Sequence, residues 1–266
     1  MRKILVIGGE TGSVTAPALA AHGHRVALAD PWASPDNTPD GIECVIAADL
    51  SDRSAVFDMF DDAAAALGGL DTLVFTAAND AALRSGDNQV RVDPSPHAWR
   101  ETVYRVLYGG VYSTQAALRR MVPQGSGRIF YLCSDQAIAG NVADPAVAAA
   151  NCGLLALSSS LATSSFLQGV TLNALTLGSP YEPTDELPPI PEESDVDELP
   201  YLRKASDAVR RQRILHRLYE NDGVDWAKSV VGMLSHLCSD EAALIAGSTL
   251  RLSNIGRDRP LVRWSC

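Results

Sequence analysis

RIFYLCSDQAIAGNVADPAVAAANCGLLALSSSLA, residues 128–162, is the stretch on which the fold turns. Ile129-Phe130-Tyr131-Leu132-Cys133 is a continuous apolar run ending at Ser134, the pattern of a strand buried on both faces. Gly140 and Pro145 mark a loop, and the Ala/Leu/Ser-rich run from Ala146 to Ala162 reads as a buried helix. Open α/β sheets place their chemistry at the carboxyl ends of such strands. Ser134 occupies that end, yet the helix after it carries almost nothing that titrates.

Working outward, Ile4 to Ile7 reads as a first strand and Gly8-Gly9-Glu10-Thr11-Gly12 as a sharp turn. Pro17 to Ala21 lies in a helix closed by Gly23, and Arg25 to Ala29 forms a strand ending at Asp30. Strand, Gly-rich turn, helix, strand and acid is the layout that sets a pyrophosphate on a helix amino terminus and a ribose hydroxyl on a carboxylate. Gly8 and Gly12 match the spacing, but Val14 stands where a third glycine would let helix and cofactor close up. Ile42 to Ala47 reads as a third strand. Asp52 or Ser54 caps a helix running to about Leu67. Leu70 to Thr76 reads as a fourth strand followed by the small residues Ala77 and Ala78, which allow a ligand to lie against the strand end. A long helix from His97 to about Met121 precedes the central strand. Val170 to Leu177, Trp226 to Cys238 and Thr249 to Leu252 complete the pattern as strand, helix and strand.

The expected fold is therefore a single Rossmann-like α/β domain over residues 1–266, with a doubly wound parallel sheet. One segment departs from it. Ser179 to Pro200 is proline-rich and acidic with no lysine or arginine, and Tyr201 to Tyr219 reads as a basic helix. Residues 179–219 form an insertion after the sixth strand, read either as a loop and helix with complementary charges or as a lid.

A net charge of −10 argues against nucleic-acid or anionic-membrane partners. No apolar run is expected to reach the roughly 20 residues of a membrane span, and no signal peptide is read at the amino terminus. Five scattered cysteines fit reduced thiols in the cytoplasm better than disulfides, and no metal motif is present. Cys133 is notable for adjoining Ser134.

From Ile4 to about Ile255 the chain resembles the short-chain dehydrogenase/reductase family. Asp49-Leu50 matches the pair that contacts adenine, and Asp30 the acid that selects the unphosphorylated ribose of NAD. Gly109 to Ala116 is similar to the family's central helix, and Leu237 to Asp240 through Ile245 to Gly247 to its C-terminal signature. The resemblance implies NAD, or NADP, held by Gly8, Gly9, Gly12, Asp30, Asp49, Leu50, Ala77 and Ala78. It also implies a homo-oligomer, dimer or tetramer, formed through the long helices.

The catalytic pattern of the family is Asn, Ser, Tyr and Lys. Ser134 matches the serine, but Val147 stands for the tyrosine, Asn151 for the lysine and Val106 for the asparagine. Valine cannot donate a proton and asparagine carries no charge, so the tyrosine mechanism is excluded at these positions. Three readings remain. The first is an atypical NAD(P)-dependent oxidoreductase acting on the carbonyl or alcohol group of a small apolar molecule. Ser134 then polarises the substrate oxygen, Asn151 at the lysine position is a further catalytic candidate, and Tyr181 is the nearest candidate donor in the insertion, with Tyr201 and His216 behind it. The second is a nicotinamide-independent lyase, isomerase, dehydratase or cyclase on the same scaffold. The third is a non-catalytic partner subunit.

Overall fold

Ile4, Leu5, Val6 and Ile7 have no exposed surface, because their strand lies near the middle of a sheet covered on both faces. The computed structural model describes residues 1–31, 38–78, 95–134, 145–166, 169–177 and 226–252. Its strands are β1 (Lys3–Ile7), β2 (Arg25–Ala29), β3 (Cys44–Ile46), β4 (Thr72–Phe75), β5 (Gly127–Ser134), β6 (Val170–Leu177) and β7 (Thr249–Leu252). They form one parallel sheet in the order β3-β2-β1-β4-β5-β6-β7. The order reverses between β1 and β4, the kind of switch point at which open α/β sheets form a crevice.

The helices are α1 (Glu10–Ala21), α2 (Arg53–Leu67), α3 (Pro96–Val103), α4 (Gly109–Gln124), α5 (Pro145–Phe166) and α6 (Trp226–Leu237). The pleat sorts β5 side chains onto two cores. Ile129, Tyr131 and Cys133 join Val56, Phe60, Ala117, Met121 and Leu154 from α2, α4 and α5. Phe130 and Leu132 join Ala16 and Leu19 of α1 with Val231 and Leu234 of α6. The doubly wound Rossmann-like sheet expected from the sequence is the one observed.

Three features differ from the sequence reading. α1 begins at Glu10 and carries Pro17 in its interior, although proline is better tolerated at a helix start. The long helix expected from His97 is broken by a π-helical turn at Tyr104–Tyr108, between α3 and α4. Apolar periodicity does not reveal that turn, since one widened turn barely disturbs the pattern. The expectation about apolar runs is also corrected: Pro145–Ser164 of α5 is long and apolar enough to cross a membrane by length and composition. It serves here as a layer of the fold, with Ala146, Ala150, Leu154, Ser158 and Ala162 buried. The insertion at 179–219 lies outside the described residues.

The turn before β6 shows how closely the chain packs at the sheet's other edge. Gly169 has φ +78, and a Cβ there would stand 1.9 Å from the Gly125 carbonyl oxygen; Gly125, at φ +67, would meet nothing within 4 Å. Gly125→Ala should cost about 1 kcal/mol from its left-handed backbone alone, and Gly169→Ala clearly more than about 2 kcal/mol. Urea denaturation of both variants checks this; equal losses would contradict it.

Candidate active site at the carboxyl edge of the sheet

Gly8 follows β1 with φ +145, a conformation that glycine adopts without strain, and its amide donates to the Ala29 carbonyl at 2.9 Å. The next residue, Gly9, is the N-cap of α1 and makes no side-chain capping bond. Asp52 caps α2 by accepting from the Ser54 amide at 2.8 Å, and Ser95 caps α3 by accepting from the Ala98 amide at 3.2 Å. A long helix that starts at a glycine, beside a crevice, suits an anionic group.

Gly12 has a packing use that its spacing does not show. A Cβ there would lie 3.3 Å from Thr76 Oγ1 and 3.4 Å from Leu28 Cδ1, so its missing side chain lets α1 approach the sheet. Val14 is 47% exposed and does not obstruct that closure. Asp30 is buried at the end of β2, its amide donating to the Ile46 carbonyl of β3 at 3.1 Å. Asp49 is exposed, and its Oδ1 accepts from the Ser51 amide at 2.9 Å and from Ser51 Oγ at 2.7 Å. That closed turn holds the carboxylate in place. Leu50 is buried against Gly109, where a Cβ would come within 3.1 Å of the Leu50 Cβ. Ala77 and Ala78 follow β4, and Ala78 is fully buried.

At the other side of the switch point, Ser134 is buried at the end of β5 and Asn151 is buried on α5. The Ser134 amide donates to Asn151 Oδ1 at 3.0 Å. Asn151 Nδ2 donates to the Ala78 carbonyl at 3.1 Å and to the Val147 carbonyl at 2.9 Å. The structure therefore brings Ser134, Asn151 and Ala78 together. Val147 is buried one turn before Asn151 on α5, and Val106 is buried inside the π turn, a distortion that often marks functional sites. Tyr181, Tyr201 and His216 lie outside the described residues. Asn151 is identifiable from the sequence as a site residue, but its bonding is not. A buried asparagine on an apolar helix signals that partners exist, without saying which.

Two further groups on β5 can be assessed as proton sources. Burial raises the Cys133 thiol well above its ordinary range, and nearby Cys152 adds to the effect. Burial likewise raises the Tyr131 phenol, despite its hydrogen bond to Thr114, whose own hydroxyl donates to the Gly110 carbonyl at 2.8 Å. Both face the core beneath α4 and α5. Neither is suited to exchanging protons near neutral pH.

The edge thus offers a glycine-capped helix, a buried acid beside it and small residues beyond β4, a set whose chemistry fits a dinucleotide. Comparisons with known proteins agree with this reading. A family model described as short chain dehydrogenase matches residues 2–186. The chain is 28% identical to the 3-oxoacyl-acyl-carrier-protein reductase MabA of Mycobacterium avium, over 94% of this chain and 87% of that protein. It is 31% identical to the 2-dehydro-3-deoxy-L-rhamnonate dehydrogenase (NAD(+)) of a Sphingomonas strain, over 76% and 79% of the two chains. Among solved structures, the TT0495 protein from Thermus thermophilus superimposes with a TM-score of 0.69 at 27% identity, covering 95% of this chain and 97% of that one.

Cys133, next to Ser134, and Cys152, next to Asn151, should differ sharply in reactivity. Cys152 is exposed and Cys133 is enclosed, so iodoacetamide at about pH 8 should alkylate Cys152 in the folded protein and Cys133 only after denaturation. Peptide mapping by mass spectrometry checks this. Rapid native labelling of Cys133 would contradict the burial described.

Proposed function

Because this chain belongs to the short-chain dehydrogenase/reductase family, oxidoreductases that use NAD(P) on small molecules, we propose that it is an NAD-dependent member acting on a carbonyl or alcohol group. One observation carries the reading. Gly8, Asp30, Ala78 and Ser134 follow or end four adjacent strands of the parallel sheet, with Asp49 next to β3, on either side of the point where strand order reverses. We assign Gly8, Gly9, Gly12, Asp30, Asp49, Leu50, Ala77 and Ala78 to the cofactor crevice. Gly12 contributes by seating α1, and Leu50 by seating the Asp49 turn. Asp30 favours an unphosphorylated ribose by accepting its hydroxyls and repelling a 2′-phosphate.

NADH, when bound, supplies the hydride. Ser134 donates a hydrogen bond to the substrate oxygen and stabilises the charge that develops there. Val147 and Val106 give the substrate side apolar walls and no proton. The missing donor forfeits a factor of roughly 10²–10⁴ unless another group supplies it. We assign that supply to water or to the 179–219 insertion, with Tyr181 first among its candidates. The insertion then doubles as a lid within a single domain of 266 residues. A small apolar substrate suits these walls. We assign a homo-oligomeric face to the long helical stretch from α3 through the π turn to α4, a reading supported by the exposed Tyr104 and Tyr108, stacked with ring centroids 4.7 Å apart. Scattered thiols fit a cytoplasmic setting.

A second reading, a nicotinamide-independent lyase, isomerase, dehydratase or cyclase, or else a non-catalytic partner subunit, is favoured by the apolar character of α5 at Val147. Titration of nicotinamide fluorescence separates them. NADH should bind at least about tenfold more tightly than NADPH, and Asp30→Ala should narrow that gap. Binding of neither nucleotide would remove the oxidoreductase reading. With cyclohexanone as a small apolar ketone probe, Ser134→Ala should lower kcat by about 10²-fold and leave the KM for NADH unchanged. Undiminished turnover would make Ser134 a strand end and nothing more.

A further inference from the structure

We infer that Asn151 is a positioning residue: it holds the Ser134 peptide and the chain leaving β4 in a fixed relation, from the place where the family carries a charge. The inference rests on the oxidoreductase reading for its functional consequence, and on geometry alone for the brace itself. The register of β4 with β5 ends at Phe75 opposite Tyr131. Beyond that pairing β5 continues to Ser134, whose amide donates to Asn151 Oδ1. Across the gap, the Ala78 carbonyl accepts from Asn151 Nδ2, and the second Nδ2 hydrogen goes to Val147 in the previous turn of α5. One side chain with no exposed surface therefore ties β4, β5 and α5 at the point where β4 pairing stops.

The demand on this position selects the residue. The side chain meets one backbone donor and two backbone acceptors, so it must accept once and donate twice. Asparagine does this in a single orientation, because the flipped amide would set N–H against N–H and oxygen against two carbonyls. Lysine has three donors and no acceptor, and would leave the Ser134 amide without its bond. Leucine matches the size and supplies neither group. A buried aspartate tends to stay protonated, keeping an acceptor for Ser134 and one donor for a carbonyl. The order of competence is therefore Asn, Asp, then Leu and Lys. It follows that restoring the family's tyrosine and lysine by the pair Val147→Tyr and Asn151→Lys breaks the brace and does not recreate the usual mechanism.

Ser134 and Ala78 lie at the β4–β5 side of the crevice, whereas Asp30 and Asp49 lie at the β2–β3 side. Loss of the brace should therefore disturb binding of the reactive end of a dinucleotide and spare its adenosine end. The test compares wild type with Asn151→Leu, Asn151→Asp and Asn151→Lys by hydrogen exchange and by titration with NADH and ADP-ribose. In the Leu and Lys variants the Ser134 amide should exchange about tenfold faster or more, while Ile129 to Leu132 stay protected. Their NADH affinity should fall about tenfold with ADP-ribose affinity unchanged, and the Asp variant should keep most of both properties. General destabilisation would weaken both nucleotides and speed exchange along the whole strand, and that result would overturn the inference. So would a Ser134 amide as protected in the Leu variant as in wild type. If the Leu variant does not fold, the same criteria apply to Asp against Lys. If wild type binds neither nucleotide, the NAD reading fails, and exchange confined to Ser134 alone decides for or against the brace.

Discussion

A parallel sheet leaves backbone groups stranded wherever one strand outruns its neighbour, and each stranded group that is buried must find a partner. At the carboxyl edge here, β5 runs on past the end of its pairing with β4, and Asn151 meets the exposed donor and acceptors with one side-chain amide. An unmet buried amide or carbonyl costs about 1–3 kcal/mol. The arrangement of the site follows from this requirement. Ser134 cannot reorient its peptide independently of α5, and the small residues after β4 are held at a set distance from it.

The same economy explains what the site lacks. A helix packed on β5 and β6 can reach the strand ends with only a few side chains, those at Val147 and Asn151 among them. One is aliphatic and the other has both its amide hydrogens engaged. Neither of these two side chains, nor Cys133 or Tyr131 on β5, is suited to exchanging protons near neutral pH. The β1–β3 side of the crevice is under no such restriction. Its features are a turn at positive φ, a glycine cap, a buried acid and an acid held by Ser51, each marked by residue types in a short stretch of sequence.

That difference in locality sets how much is legible in the sequence. β2, β6 and β7 are readable at their observed bounds, because short apolar runs between turn residues leave few alternatives. Asp52 is readable as one of two candidate caps, and its partner proves to be the other, Ser54, two residues away. Gly12 is legible as special, but its spacing says nothing of its packing. The sheet atoms that fill the space of its side chain come from Thr76 and Leu28, distant in sequence. The π turn is hidden within a helical pattern that tolerates it. Asn151 stands out only through a resemblance, and its three partners lie at Ala78, Ser134 and Val147, of which the sequence hints at the last alone.

The central claim is that the crevice still accommodates a dinucleotide although α5 has become a brace. A crystal structure of the protein grown with NADH tests it most directly. The account predicts density running from Asp30 and Asp49 past Gly8 to Ser134, with the three Asn151 hydrogen bonds intact. A crevice closed by side chains, or an Asn151 swung out to contact the nucleotide, would contradict it.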